Sequence, residues 1–269
     1  MLTLFFLILT IQAQAAGLKC SSLFGVTYEH KNPALVLDKN HGLLNQNDPR
    51  LVEADLIKNK SSMLCGPTCL YNVLEKFKIE RNEKNLPEQN AAELISYVKD
   101  IFSQNETTIP KLMKYGMTIG DLANSLQAVA QKNNLNLKTK VKTTMTMEQA
   151  DLFREQGVSL IDLKNAIKSG RTAIVLVGFY QTGDLLKVTK INRLAGHYMI
   201  VAGHDPLNPN QIIFQDPNRP LTYKKINLLP VKPSNFSTAT YQLDLKMTPW
   251  WYPRQVTTLI ERVLFIEAD

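Results

Sequence analysis

Ser61-Ser62-Met63-Leu64-Cys65-Gly66-Pro67-Thr68-Cys69-Leu70 is the stretch on which the fold turns, because a turn gives way there to a helix. Behind it Cys69, Leu70, Val73, Leu74 and Phe77 recur at the spacing of one helical face, which predicts a helix to about Lys78. Pro67 suits a first helical turn, where its missing N–H is not needed, and Gly66 lets the backbone approach closely. Cys65 is thereby set at a helix N-terminus, where unpaired N–H groups and the macrodipole favour an anion. A thiolate is such an anion, and it is the nucleophilic form of cysteine.

Upstream, Leu2 to Ile11 form an almost unbroken apolar run followed by Ala13-Gln14-Ala15, a small-x-small pattern, so residues 1–16 read as a secretory signal. Ten or so apolar residues are too few to span a bilayer, which takes about 20 in a helix. The n-region lacks Lys and Arg, and Gly17-Leu18-Lys19 before Cys20 does not match a lipobox. Cleavage after Ala15 or Ala16 sends the mature protein to the periplasm or beyond the cell, with no stable membrane insertion. Residues 17–60 scatter Asn, Asp and Pro among short apolar runs and read as an extended arm that wraps the domain. Residues 17–269 then form a single domain, divided into a helical part, 61–170, and a β part, 171–269.

Downstream of the Cys65 helix, periodicity predicts helices at Ala91–Gln104, Ile119–Lys132 and Leu160–Lys168, with a short strand at Leu137–Thr143. Gly170 is the stop signal of the last helix. From Thr172 the character changes to short β-rich runs at 172–179, 185–189, 197–202, 211–215, 221–224, 241–246 and 262–266, separated by Gly, Pro, Asn and Asp. Helices first and an antiparallel sheet afterwards is an α+β layout.

The chain has 269 residues and a formal net charge of +7, all of it outside the signal. That balance suits contact with an anionic envelope or acidic substrates. Lys138, Lys140 and Lys142 alternate with Thr and Val, as on the wet face of a strand, and no nucleic-acid motif accompanies the charge. Three cysteines in an exported chain leave an odd thiol. The simplest arrangement frees Cys65 and either buries Cys69 or joins it to Cys20; burial is favoured, because Cys69 shares a helix face with Val73.

A thiol nucleophile needs a base in reach, and the base needs an orienting partner. Of the four histidines, His30 and His41 lie among Asn, Asp and Lys in the arm and read as exposed. His204 closes a strand beside Gly203 and Asp205, in a turn. His197 opens the run Tyr198-Met199-Ile200-Val201 and is better placed to project into a cleft. The Pro209-Asn210 turn makes a hairpin of this strand and 211–215, which sets Asp216 beside the start of the His197 strand. Asp205 reads as a turn residue.

Four segments in order, Cys65-Gly66-Pro67-Thr68-Cys69-Leu70, Ile167 to Val175, Gly196 to Gly203 and Phe214-Gln215-Asp216-Pro217, resemble the papain-type cysteine peptidases related to the bacteriocin-processing, double-glycine-cleaving peptidases. The resemblance covers about Lys58 to Tyr223. It implies a papain-like α+β fold, in which a helical N-terminal half bears the nucleophile at a helix N-terminus and packs on an antiparallel sheet from the C-terminal half. It also implies Cys65 as nucleophile, His197 as base and acid, and Asp216 as orienter, with a peptide or protein substrate and no cofactor. Where the family has a Gln donating to the oxyanion, about six residues before the nucleophile, this chain has Asn59, the same amide on a shorter arm. The Cys65 N–H is the second donor.

Other readings stay open beside this one. An amine in place of water makes the same triad an acyltransferase or transglutaminase. Loss of rate at Asn59 makes the chain a binding module. A metal site of Cys65, His197 and Asp216 lacks a fourth close ligand and any CxxC or HxxxH spacing. Trp250-Trp251-Tyr252-Pro253 reads as core or lid packing rather than a sugar or peptide platform. The Asn-x-Ser/Thr sites at Asn59, Asn105 and Asn235 matter only on a eukaryotic secretory route. Oligomeric state is not legible.

Overall fold

The computed structural model describes residues 44–48, 64–80, 96, 116–143, 155–169, 171–181, 193–205, 207–219, 223–231, 240–244 and 256–268. The signal segment, most of the arm, Cys20, Asn59 and the Trp250–Pro253 cluster lie outside them, as does the 185–189 strand. Helix α1 spans Cys65–Glu80, α2 Ile119–Lys132 and α3 Leu160–Lys168. The strands are β1 (Leu137–Thr143), β2 (Glu155–Gln156), β3 (Thr172–Gln181), β4 (Arg193–His204), β5 (Gln211–Gln215), β6 (Tyr223–Val231), β7 (Thr240–Leu243) and β8 (Val256–Ala268).

Local chemistry accounts for the helix starts. Thr118 and Ser159 cap α2 and α3, each accepting from the N–H three residues on, while Asp121 and Asp162 return a bond to the cap N–H. These reciprocal pairs satisfy two orphan donors at each start and set an acid against the positive end of the helix dipole. Both helices begin and end where the sequence predicts. Helix α1 runs two residues beyond Lys78. The helical N-terminal half is not carried by the described residues. Ser96 is helical, but the rest of the helix expected at 91–104 lies outside them, and β1 and β2 also belong to this half.

The strands run in the order β2-β1-β8-β3-β4-β5-β6-β7, and β7 pairs back onto β8, so that β8, β3, β4, β5, β6 and β7 close into a barrel. Strand β8 makes this possible by its 13-residue length: Thr258 and Leu259 pair with β7, while residues 262–268 pair with β1. Every pairing is antiparallel except β1 with β2, which is parallel. The sheet is therefore neither wholly antiparallel nor drawn only from the C-terminal half, as the sequence had suggested. A full barrel needs no open edges, and short runs give no sign of closure.

Strand alternation splits the core in two. Ala173, Val175, Val177, Met199, Val201, Ile212, Phe214, Ile226 and Ile260 turn to one side, where they pack with Leu163 and Ala166 of α3. Ile174, Tyr198, Ile200, Leu264 and Ile266 turn to the other and pack against α1 and α2. Cys65 to Phe77 are buried on every side of α1, not on one face alone. Two of its polar side chains reach partners far along the chain: Asn72 holds the backbone N–H and C=O of Leu44, and Lys76 donates to Thr172 at the start of β3 (2.9 Å). Each fully buried Leu or Phe here contributes about 1.5–3 kcal/mol.

At one end of β3 and β4, Gly178 and Gly196 face each other across the ladder, and the space that side chains would fill holds an ion pair. Glu261 accepts from the Tyr180 hydroxyl (2.5 Å) and from Arg193 Nε and Nη2 (2.6 and 2.9 Å). Burial and the Glu261 carboxylate push the Tyr180 phenol up. A β-carbon on Gly178 would overlap Glu261 Oε1, which the Tyr180 hydroxyl and Arg193 Nε hold in place. Gly178→Ala is accordingly expected to destabilise by about 2–4 kcal/mol, as a sum of overpacking and broken hydrogen bonds. Urea unfolding measures it; an unchanged midpoint would contradict this account of the glycine pair.

Candidate active site

Cys65 is the first residue of α1 and is buried, with its thiol free. The close approach predicted at Gly66 is present: a β-carbon there would lie 3.2 Å from the Tyr198 ring. The Tyr198 hydroxyl donates to Met117 C=O (3.0 Å), just before the α2 cap. One aromatic side chain thus ties the start of α1 and the start of α2 to β4, one residue from His197.

His197 is the fifth residue of β4, not its mouth. The strand begins at Arg193, because Arg193, Ala195 and Gly196 still pair with β3. The hairpin forms as expected, with Gln211 N–H donating to Asn208 C=O around the Pro209-Asn210 turn. Gln215 pairs with Ile200, so Asp216, one residue on, reaches the Met199–His197 segment. Its Oδ1 lies 3.0 Å from His197 Nε2. Asp205 stays in the turn, accepting from Leu207 N–H and from Lys225. His204 closes β4 at the other end.

The electrostatics fix the proton positions. Burial pushes the Asp216 carboxyl up, but the bonds from His197, Lys224 Nζ (2.8 Å) and Asn218 N–H (3.0 Å) outweigh it and hold the group well below the usual carboxylate range. An ionised carboxylate only accepts, so Nε2 carries a proton and donates to it. Nδ1 is left free to face Cys65, whose thiol is among the groups that raise the imidazole pKa. Burial pulls the His197 imidazole down, yet the bonds to Asp216 and then to Cys65 prevail, and its pKa rises from 6.5 to about 9. Cys69, one turn along α1, is a free buried thiol pushed well up, first by burial and then by the charges of Cys65 and Asp216. It is the small core residue expected, and Cys20 lies outside the described residues.

Two connections had no sequence signal. Lys224 lies outside any motif. Leu44 to Asp48 of the arm link α1 to the Asp216 turn, through Asn72 on one side and through Gln46 N–H to Pro217 C=O (3.0 Å) and Asn47 to Asn218 (3.1 Å) on the other. Among the described residues no cluster of His, Cys, Asp and Glu is placed to hold a metal ion. No described helix is long and apolar enough to cross a membrane.

The shifts set a pH window. Asp216, depressed from 3.8, contributes stability above that value and loses it as pH falls. His197, raised from 6.5 to about 9, contributes in full below 6.5 and loses it as pH rises through 9. The difference in Tm between wild type and His197→Gln is therefore expected to be largest from about pH 4 to 6.5 and to shrink towards pH 9.5. A difference that stays constant with pH would contradict the assigned pair.

No curated protein matches the chain. A family model does, over residues 40–243, a span that includes Asn59, Cys65, His197 and Asp216. The match is to a family related to peptidases, which agrees with the resemblance read from the sequence and points to a cysteine-peptidase-related function. With well over half of its residues matched, the chain belongs to the Peptidase_C39-like family.

Proposed function

We propose that this protein is an exported cysteine peptidase that cleaves peptide bonds through Cys65, His197 and Asp216. The observation that carries this reading is the 3.0 Å bond between Asp216 Oδ1 and His197 Nε2, on an imidazole whose pKa is also raised by Cys65 at the start of α1. His197 Nδ1 takes the Cys65 proton, and the thiolate attacks the carbonyl carbon of the scissile bond. The Cys65 N–H and the Asn59 amide donate to the oxyanion. His197 then gives its proton to the leaving nitrogen, and the amine departs from a thioester. Water, deprotonated by His197, releases the acid and restores the thiol. Asp216 stays ionised throughout and steadies the imidazolium.

The apolar run and small-x-small pattern of residues 1–16 support export, and residues 44–48 of the arm bond to the turn that bears Asp216. The substrate is a peptide or protein. An amine that enters in place of water gives acyl transfer by the same steps. A weakly active binding module is the third reading, since Asn59 is a shorter donor than Gln.

Incubation of the mature chain with a peptide library, read by mass spectrometry, tests the reading. Cleavage is expected to fall to background in Cys65→Ala and His197→Ala, and by about 100- to 1000-fold in Asn59→Ala. Products joined to an added amine would assign acyl transfer. Cleavage that survives Cys65→Ala would overturn the proposal.

A further inference from the structure

We infer that Lys224 is a positioning residue of this thiol site: its ammonium on Asp216 Oδ2 orients and neutralises the carboxylate that His197 uses. The inference rests on the reading of Cys65, His197 and Asp216 as a working triad, and it adds a fourth charge from β6. Lys224 pairs across the ladder with Phe214, so it shares a face with Asp216 two residues further on. No motif or spacing draws attention to it.

Asp216 is nearly buried, and both of its oxygens are used. Oδ1 accepts from His197 Nε2 and Asn218 N–H, both at 3.0 Å, and Oδ2 accepts from Lys224 at 2.8 Å. A buried carboxylate oxygen that loses its donor is costly, and the group turns to find another. Lys224 leaves a single orientation that satisfies both oxygens, the one that aims Oδ1 at the imidazole.

Charge adds a second effect. Among the described residues, the titratable groups that interact here are Cys65 and Cys69 from α1, His197 and Tyr198 from β4, Asp216 after β5 and Lys224 from β6. With the Cys65–His197 pair ionised, thiolate, imidazolium, carboxylate and ammonium alternate in sign and sum to zero. Without Lys224 the site carries a net negative charge. Loss of that positive charge makes proton loss from the site harder, which moves the pH profile of its chemistry upward. Lys225, the next residue, goes instead to Asp205 at 3.1 Å, which makes it an internal control for charge on the same strand.

The test is the rate of Cys65 alkylation by iodoacetamide between pH 4 and 10, mapped by peptide mass spectrometry. Wild type is compared with Lys224→Met, Lys224→Gln, Lys224→Arg and Lys225→Met, with folding checked by circular dichroism. Lys224→Met and Lys224→Gln are expected to slow the optimal rate about tenfold and to move both limbs of the profile up by about half a pH unit or more. Lys224→Arg restores the limb positions, and Lys225→Met superposes on wild type. Lys224→Gln with wild-type limbs overturns the inference, as does an equal shift in Lys225→Met. A wild type that lacks His197-dependent labelling near pH 6 overturns the triad reading itself, which separates the two failures.

Discussion

The Tyr198 ring lies so close to Gly66 that a β-carbon there would come within 3.2 Å of it, and the rest of the site depends on that approach. Tyr198 is fixed at its other end by Met117 C=O. The first turn of α1 is thereby seated against β4 next to His197. Without the glycine the helix would stand off from the strand, and a thiol–imidazole hydrogen bond does not survive much displacement. The helix end also supplies unpaired N–H groups where negative charge develops, so one packing contact serves both alignment and electrostatics.

Burial gives the polar groups of this region their strength. In a low-dielectric site a carboxylate, an imidazole and a thiol influence each other more than they would in water, and each must be partnered. Asp216 meets that requirement with donors from three places: His197 on β4, Lys224 on β6 and the Asn218 backbone. The segment 44–48 completes the frame by tying Asn72 of α1 to Pro217 and Asn218. Nucleophile helix and acid turn are so held by a common strap.

How much of this was legible in the sequence follows from the range of each interaction. The start of α1, the helices at 119–132 and 160–168 and the Pro209-Asn210 hairpin are local, and local patterns reveal them. That hairpin is also why Asp216 could be chosen over Asp205. Barrel closure depends on the length of β8, and pairing between distant strands leaves no mark in the run 262–266. The all-round burial of α1 was hidden for a related reason: the apolar residues mark one face only, while Asn72 and Lys76 on the rest of the helix are bonded to Leu44 and Thr172 far along the chain. His197 looked like the mouth of its strand because Arg193 and Gly196 are poor strand formers. Their place in β4 is set by the Glu261 ion pair and the facing Gly178.

The central claim is that the Cys65 thiol passes its proton to an imidazole held by Asp216. The most direct measurement is the rate of Cys65 alkylation by iodoacetamide at pH 6, in wild type and in His197→Ala, followed by mass spectrometry. An ordinary thiol, with a pKa of about 8.5, is almost wholly protonated at that pH and reacts slowly. Fast labelling in wild type that is lost in His197→Ala is the predicted result. Equally slow labelling in both, rising with pH as a free thiol does, would contradict the account.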